Sequence, residues 1–353
     1  MSGRYADGLA ERARARLSPE VYHYVACGAG DGLSASEAEQ SWRSWRFRPR
    51  VLRDVTYVEL ATELLGTTYA APIGVAPTTL HRAAHPDGEV ETARGVARCG
   101  VPMVVSSNAG STFEDIAATG VPWWLQIYLT SERSVSEPVV ARAVAAGARA
   151  LVLTADTPVV GTKREGERSV WSAVEPGWLR VNFPDQGGGP DDPAVRAAAE
   201  KATDLGPQDV AWLAARFGLP VVVKGVLHPE DARRCVDAGA AAVWVSHHGG
   251  RQLDRAMAPA HALAAVVEEV GDDAEVYVDG GVRSGLDVLT ALALGARAVF
   301  LGRPVLWALA DGGAAGVVSL LGELTSDLEE CVRLAGEPSA ASVPRELVVN
   351  TGS

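Results

Sequence analysis

An α/β protein, a single TIM-type (β/α)8 barrel, is the fold this sequence predicts, and three observations carry the prediction. The chain has 353 residues, 47% of them hydrophobic, which suits one barrel of about 250 residues with additions. Eight short, β-branched apolar runs follow one another along it. Ala-rich helical stretches alternate with those runs, and glycine closes several of the stretches. An open, doubly wound sheet shares this alternation, but eight units in series favour closure.

Residues 1–72 precede the first run and read as a cover on the barrel. They hold helices over Ala6–Leu17 and Pro19–Cys27 and an extended Trp/Arg/Pro-rich stretch from Trp42 to Arg53. The barrel is expected over 73–335. Its strands are Ile73–Ala76, Met103–Ser106, Trp124–Tyr128, Ala150–Thr154, Val221–Lys224, Ala242–Ser246, Glu275–Asp279 and Ala298–Leu301. Most lack polar alternation, as parallel strands buried on both faces must. Helices Asp87–Cys99, Val135–Ala146, Pro229–Ala238 and Leu286–Leu294 stop just before Gly100, Gly147, Gly239 and Gly295, a C-cap signature. Residues 171–206, after strand four, are irregular and include Gly187-Gly188-Gly189-Pro190. They fall on the face where barrel loops carry function, so a lid is expected there. The whole chain, 1–353, is then one domain.

Composition removes several function classes. A formal net charge of −12 repels polyphosphate backbones, so nucleic acid is not an expected partner. Cys27, Cys99, Cys235 and Cys331 stand far apart, with no CxxC spacing. Reduced, buried thiols are expected, with neither a disulfide framework nor a metal site. The stretch MSGRYADGLAERARARLSPEVYHYV has no apolar h-region, and no run of about 18 apolar residues is found. No secretory signal and no membrane span are therefore expected, and the expected address is cytoplasmic.

The chemistry is expected where each strand ends, because the C-terminal ends of barrel strands face the active site. Those ends read Ala76-Pro77-Thr78, Ser106-Ser107-Asn108, Gln126-Ile127-Tyr128, Thr154-Ala155-Asp156, Lys224-Gly225, Ser246-His247-His248-Gly249-Gly250-Arg251, Asp279-Gly280-Gly281-Val282-Arg283 and Gly302-Arg303-Pro304. A polar or charged group stands at every one, while the strand interiors are apolar. Gly-Gly-Val-Arg and Gly-Arg after strands seven and eight suit a phosphate, with accessible backbone N–H groups and Arg283 and Arg303 adding charge-assisted bonds. Lys224 closes an apolar strand, where it is either a snorkelling surface lysine, a cation facing a cofactor or a Schiff-base lysine. His248 lies three residues before Arg251, and a base beside a carboxylate-binding guanidinium suits α-hydroxy acid chemistry. Its neighbour His247 should point the other way.

Taken together, these residues resemble the FMN-dependent α-hydroxy acid oxidase/dehydrogenase family, which includes glycolate oxidase, lactate oxidase and mandelate dehydrogenase. The resemblance runs from about Tyr22 to Leu334 and is most specific at Val245-Ser-His-His-Gly-Gly-Arg-Gln-Leu-Asp254. Supporting stretches are Phe47-Arg-Pro-Arg50, Leu153-Thr-Ala-Asp-Thr-Pro158, Val223-Lys-Gly225 and Asp279-Gly-Gly-Val-Arg283.

The resemblance implies FMN as cofactor and oxidation of an (S)-2-hydroxy acid to the 2-keto acid. The acceptor it implies is oxygen or another oxidant, and the assembly a homotetramer. It implies that Ala76, Pro77, Thr78, Ser106, Gln126 and Thr154 hold the isoalloxazine ring, with Lys224 at its N1/C2 edge. Asp279, Gly281, Arg283, Gly302 and Arg303 would take the ribityl chain and phosphate. Tyr24 and Arg251 would clamp the substrate carboxylate, and Tyr128 would meet its hydroxyl. His248 would be the base and Asp156 the partner of its imidazolium. Whether the base takes the α-proton or the hydroxyl proton stays open. Oxidase and dehydrogenase activity also stay open. A barrel that binds FMN or phosphate without redox turnover, and an FMN-dependent isomerase, are the alternatives.

Three positions depart from the family pattern. His247 replaces an asparagine. The loop Gly161-Thr-Lys-Arg-Glu165 is one residue longer, so the second carboxylate-binding cation is Arg164, with Lys163 competing. Asn108 occupies a substrate-pocket position and points to a polar or bulkier substrate side chain, or else only caps backbone.

Overall fold

The computed structural model describes residues 4–163, 170–175, 177–184 and 200–351. Eight parallel strands close into a barrel. They are β1 (Ile73–Val75), β2 (Met103–Ser106), β3 (Trp123–Ile127), β4 (Leu151–Thr154), β5 (Val221–Val226), β6 (Ala242–Val245), β7 (Glu275–Asp279) and β8 (Ala298–Leu301). Each pairs with the next in sequence, and β8 pairs with β1 through Val299↔Ile73. The expected strands are all present, with ends shifted by one or two residues. Ala76, Tyr128 and Ser246 fall just outside their strands, Ala150 just before β4, and β5 runs on to Val226.

Side-chain alternation sorts two cores. Met103, Val105, Leu125, Leu151, Leu153, Val243 and Val278 face the helices. Val104, Trp124, Val152, Val222, Trp244, Tyr277 and Phe300 face inward and fill the barrel. The Trp244 and Phe300 rings stack with centroids 4.1 Å apart, so the lumen is a packed core and not a channel. Burying each such ring stabilises the fold by about 1.5–3 kcal/mol.

The floor of the barrel is a feature the sequence reading did not contain. A short antiparallel hairpin, Thr62–Leu64 paired with Thr67–Tyr69, plugs the N-terminal end. Leu64 and Tyr69 join the inner core, and the Tyr69 hydroxyl accepts from Trp124 Nε1 at 3.3 Å. Glu275 ties it down, accepting from the Leu65 N–H at 2.9 Å.

The cover also departs from expectation in part. Its first two helices are Leu9–Arg16 and Pro19–Ala26, close to the expected bounds. A third helix, Leu33–Trp42, lies where none was read, and Trp42 ends it and does not begin an extended stretch. Its own sequence has a weak start signal; the cap arrives from Asp254, whose carboxylate accepts from the N–H groups of Asp31 (2.8 Å) and Ser34 (2.9 Å). Trp45–Phe47 is extended, as expected, and pairs antiparallel with Val348–Asn350 near the C-terminus.

Helix Arg303–Leu334 follows β8 and runs 32 residues, broken at Gly312-Gly313. By length and mean composition it could cross a membrane, although Asp311 interrupts its apolar stretch. Over half of its most apolar window is buried inside the molecule, where it packs on helices Leu9–Arg16, Gly88–Cys99 and Gly285–Ala293.

Candidate active site

Loops at the C-terminal ends of β1–β8 enclose a cavity of about 910 Å³. Among the residues that line it are Tyr24, Ala76, Pro77, Thr78, Ser106, Asn108, Gln126, Tyr128, Thr154, Lys163, Lys224, His248, Arg251, Asp279, Gly281, Arg283, Gly302 and Arg303. The residues singled out from the sequence therefore converge, with two exceptions. Asp156 stands behind His248 and does not line the wall, and Arg164 lies outside the described residues.

His248 is the centre of one wall. It follows β6 in a Gly-rich turn with φ of +58°, a left-handed conformation that side chains adopt only when surroundings enforce it. Its backbone N–H donates to Ser246 Oγ at 3.0 Å. Gly250, at φ +70°, needs its missing Cβ, which would collide with the Ala35 backbone of the third cover helix. Nδ1 of His248 lies 2.9 Å from Asp156 Oδ1, and Nε2 lies 3.4 Å from the Tyr128 hydroxyl. Thr157 Oγ1 donates to the same Asp156 oxygen at 3.0 Å.

These contacts set the protonation states. Burial pushes the His248 imidazole below its ordinary value, and Asp156 partly offsets the fall. Burial acts to raise the Asp156 carboxyl, but His248, Lys224 and Thr157 outweigh it and the net shift is downward. Burial and the Asp156 charge push the Tyr128 phenol up, so it stays a hydroxyl donor. An aspartate on Nδ1 fixes the tautomer that leaves Nε2 free to accept a proton from the cavity.

A second wall runs across β2 to β7. Ser106 donates to Gln126 Oε1 at 3.0 Å, and Gln126 Nε2 donates to Thr154 Oγ1 at 3.0 Å. Lys224, 4% exposed, pairs with Asp279 at 3.0 Å. It also donates to Ser246 Oγ at 2.7 Å, and Ser246 in turn donates to Asp279 Oδ1 at 2.6 Å. The snorkelling alternative for Lys224 is thus excluded, since it is buried and paired.

At the far end the Arg303 guanidinium donates to the carbonyls of Val25 (3.0 Å), Cys27 (3.1 Å) and Gly249 (2.8 Å). Burial, with Arg251 and Arg283 adding repulsion, pushes Arg303 down to about 10. Arg283 pairs with Glu39 at 2.8 Å. Gly281, at φ +83°, leaves room for the Ala38 carbonyl. Crowded guanidinium groups beside glycine backbone are relieved by an anion, and the polar row from Ser106 to Lys224 offers donors and acceptors to a heteroaromatic edge. This donor set fits the flavin mononucleotide that the resemblance implies.

Arg251 Nη1 donates to the carbonyls of Tyr24 (2.7 Å) and Cys27 (3.0 Å), and its guanidinium lies 4.7 Å from the Tyr24 ring centroid. Lys163 borders the same region, its Nζ donating to the Gly161 carbonyl at 3.2 Å. The Asn108 backbone N–H donates to Ser106 Oγ and its backbone carbonyl accepts from the Arg180 N–H, and the residue lines the cavity, so the pocket reading has a counterpart while these bonds belong to the main chain and not to a capping side chain. His247, 4% exposed, turns away toward Gly280; neither ring nitrogen has a hydrogen-bond partner among the described residues.

Sequence reasoning missed Ser246, Thr157, Trp171, Arg180, Phe183 and Lys201. Ser246 precedes the two histidines at a strand end and was open to the same argument as its neighbours. The last four sit on the segment read only as a lid, where no local pattern announces which side chains turn inward. Asp254 and Gln252, part of the most specific stretch, hold structure: Asp254 caps the third cover helix, and Gln252 Oε1 accepts from the Gly161 N–H at 3.0 Å.

Comparison with known proteins agrees with this geometry. Residues 13–350 match the family model described as FMN-dependent dehydrogenase. Glycolate oxidase 1 of Zea mays is 40% identical over 344 residues, covering 96% of this chain and 93% of that protein. 2-Hydroxyacid oxidase 2 of Rattus norvegicus is 39% identical, covering 95% of each. L-lactate oxidase of a Nostoc species is 38% identical, covering 92% of each. A solved mandelate oxidase variant with (S)-mandelic acid superposes with a TM-score of 0.90 at 36% identity, over 100% of both chains.

Proposed function

The chain belongs to the FMN-dependent dehydrogenase family, and from that premise we propose that it oxidises an (S)-2-hydroxy acid to the 2-keto acid, with oxygen as the acceptor. The observation that carries the reading is the His248–Asp156 pair at 2.9 Å, facing Tyr128 and Arg251 across one cavity. When bound, FMN supplies the two-electron acceptor of the reaction.

The residues divide the remaining work. Arg251, already oriented by the Tyr24 and Cys27 carbonyls, offers its free guanidinium edge to the substrate carboxylate, with Tyr24 beside it. That clamp fixes the hydroxyl-bearing carbon and lowers the entropic part of the barrier. The Tyr128 hydroxyl bonds the substrate oxygen. His248 Nε2 takes a proton from the α-carbon or from the hydroxyl, and Asp156 stabilises the imidazolium that results. Ala76, Pro77, Thr78, Ser106, Gln126, Thr154 and Lys224 would hold the flavin ring, and Asp279, Gly281, Arg283, Gly302 and Arg303 its ribityl phosphate. A homotetramer and a cytoplasmic address complete the proposal; the resemblance supports the first, and light scattering on the purified protein reads it.

The test is anaerobic. A panel of 2-hydroxy acids (glycolate, lactate, 2-hydroxybutyrate, mandelate, malate) is mixed with the yellow protein, and flavin bleaching is followed by absorbance. At least one acid should bleach the flavin in the wild type, and His248→Ala should bind FMN yet bleach at least ~100-fold more slowly. A yellow protein that none of the acids reduces, or a His248→Ala variant of normal rate, overturns the reading.

A further inference from the structure

Resting on that reading, we propose that the substrate carries a second carboxylate, a short-chain 2-hydroxy dicarboxylate, and that the Lys201 ammonium receives it. Among the described residues, seven lysine and arginine side chains line the cavity: Lys163, Arg180, Lys201, Lys224, Arg251, Arg283 and Arg303. Two are neutralised within the protein: Lys224 by Asp279 and Arg283 by Glu39. Arg251, Arg303 and Lys163 donate to backbone carbonyls. Flavin phosphate and the reacting carboxylate account for Arg283, Arg303 and Arg251.

Lys201 is different. Among the described residues no carboxylate is within ion-pair range of it, and its Nζ rests 3.7 Å from the Tyr128 ring centroid. An ammonium has three donors and no way to satisfy them on an aromatic face alone. The position is built and not loose. Backbone bonds from Ser131 N–H to the Glu200 carbonyl and from Ala202 N–H to the Leu129 carbonyl, both 2.8 Å, clip residues 200–202 onto the loop after β3. Thr130 and Lys201 form a bridge between them. That loop follows directly on Tyr128, so the amine is held over the phenol ring. Burial pushes it down to about 8, with Asp156 partly offsetting and Lys163 adding to the fall; an anion beside it restores its charge.

The reach defines the ligand. Tyr128 OH lies 3.4 Å from His248 Nε2, so the amine sits one phenol ring away from where the hydroxyl-bearing carbon must react. A group only a few bonds along the substrate can bridge that span. A single ammonium without a helix N-terminus or guanidinium fork suits a carboxylate better than a phosphate. Exposed Arg180 at the rim adds to the same field.

Two matched pairs test this. In steady-state kinetics, malate is compared with 2-hydroxybutyrate; by calorimetry, the products oxaloacetate and 2-oxobutyrate are compared as ligands. The wild type should prefer the diacid of each pair, and Lys201→Met should lower both preferences about 10- to 100-fold, the range for a lost charge-assisted bond. Lys201→Arg should keep most of the preference. A wild type that favours 2-hydroxybutyrate tenfold, or a Lys201→Met variant whose two ratios stay within about twofold of wild type, overturns the proposal. Reduction of the flavin by neither of these acids nor any other of the panel would sink the oxidation reading instead, and the calorimetric pair would still decide the role of Lys201.

Discussion

Asp156 shows how much of the chemistry depends on a side chain that never lines the cavity. It holds His248 by Nδ1 and raises an imidazole that burial depresses. The base must be neutral to act, so kcat/KM should climb as pH rises through the depressed His248 value and then level off. Asp156→Asn removes the group that favours imidazolium. The climbing limb should therefore move to lower pH, and the plateau should fall about 100-fold because the cation formed in the reaction loses its partner. A pH profile of kcat/KM for both proteins checks this; a limb displaced to higher pH contradicts it. Most of these side chains were legible beforehand, since each stands within a few residues of a strand end, where only a polar function explains the break in an apolar run. Lys201 was not legible, because its place over Tyr128 is made by backbone pairing between residues 71 apart in the chain and not by any local spacing. The same holds for the Cys27 carbonyl, which accepts from Arg251 and Arg303: a backbone atom leaves no signature in a sequence.

The strands were legible because β-branched runs buried on both faces leave little ambiguity in type. What stayed hidden were elements whose reason for existing is tertiary. Hairpin Thr62–Leu64/Thr67–Tyr69 is too short for periodicity to register, and it is fixed by the open barrel end it fills. Helix Leu33–Trp42 is capped by a carboxylate 220 residues away from its start. The hairpin gives a clean separation of roles. Leu64 is fully buried on the floor of the barrel, at the end opposite the cavity. Leu64→Ala should cost about 2–5 kcal/mol of stability through lost contacts and a residual void, seen as a lower thermal midpoint. Flavin reduction by a good substrate at 25 °C should stay within about threefold of wild type. A loss of rate equal to that of the Asp156 variant would mean that the floor reaches the site.

Across the whole molecule, the charge is unevenly placed. Among the described residues, a chain of net charge −12 turns seven lysine and arginine side chains and few acids toward a single cavity. Such a concentration of field attracts small anions despite the acidic exterior, and mobile ions screen it. Raising NaCl from about 0.02 to about 0.5 M should lower kcat/KM for 2-hydroxy acids several-fold, while kcat at saturation changes little; a salt-independent kcat/KM would contradict the focusing argument. The bonds that Arg251 and Arg303 make to Val25, Tyr24 and Cys27 also impose an order of assembly. Synthesis delivers Tyr24 and Cys27 well before Arg303. The earlier segment must therefore wait for these bonds while some 275 residues emerge behind it, and the seat for the cofactor closes only once Arg303 has followed.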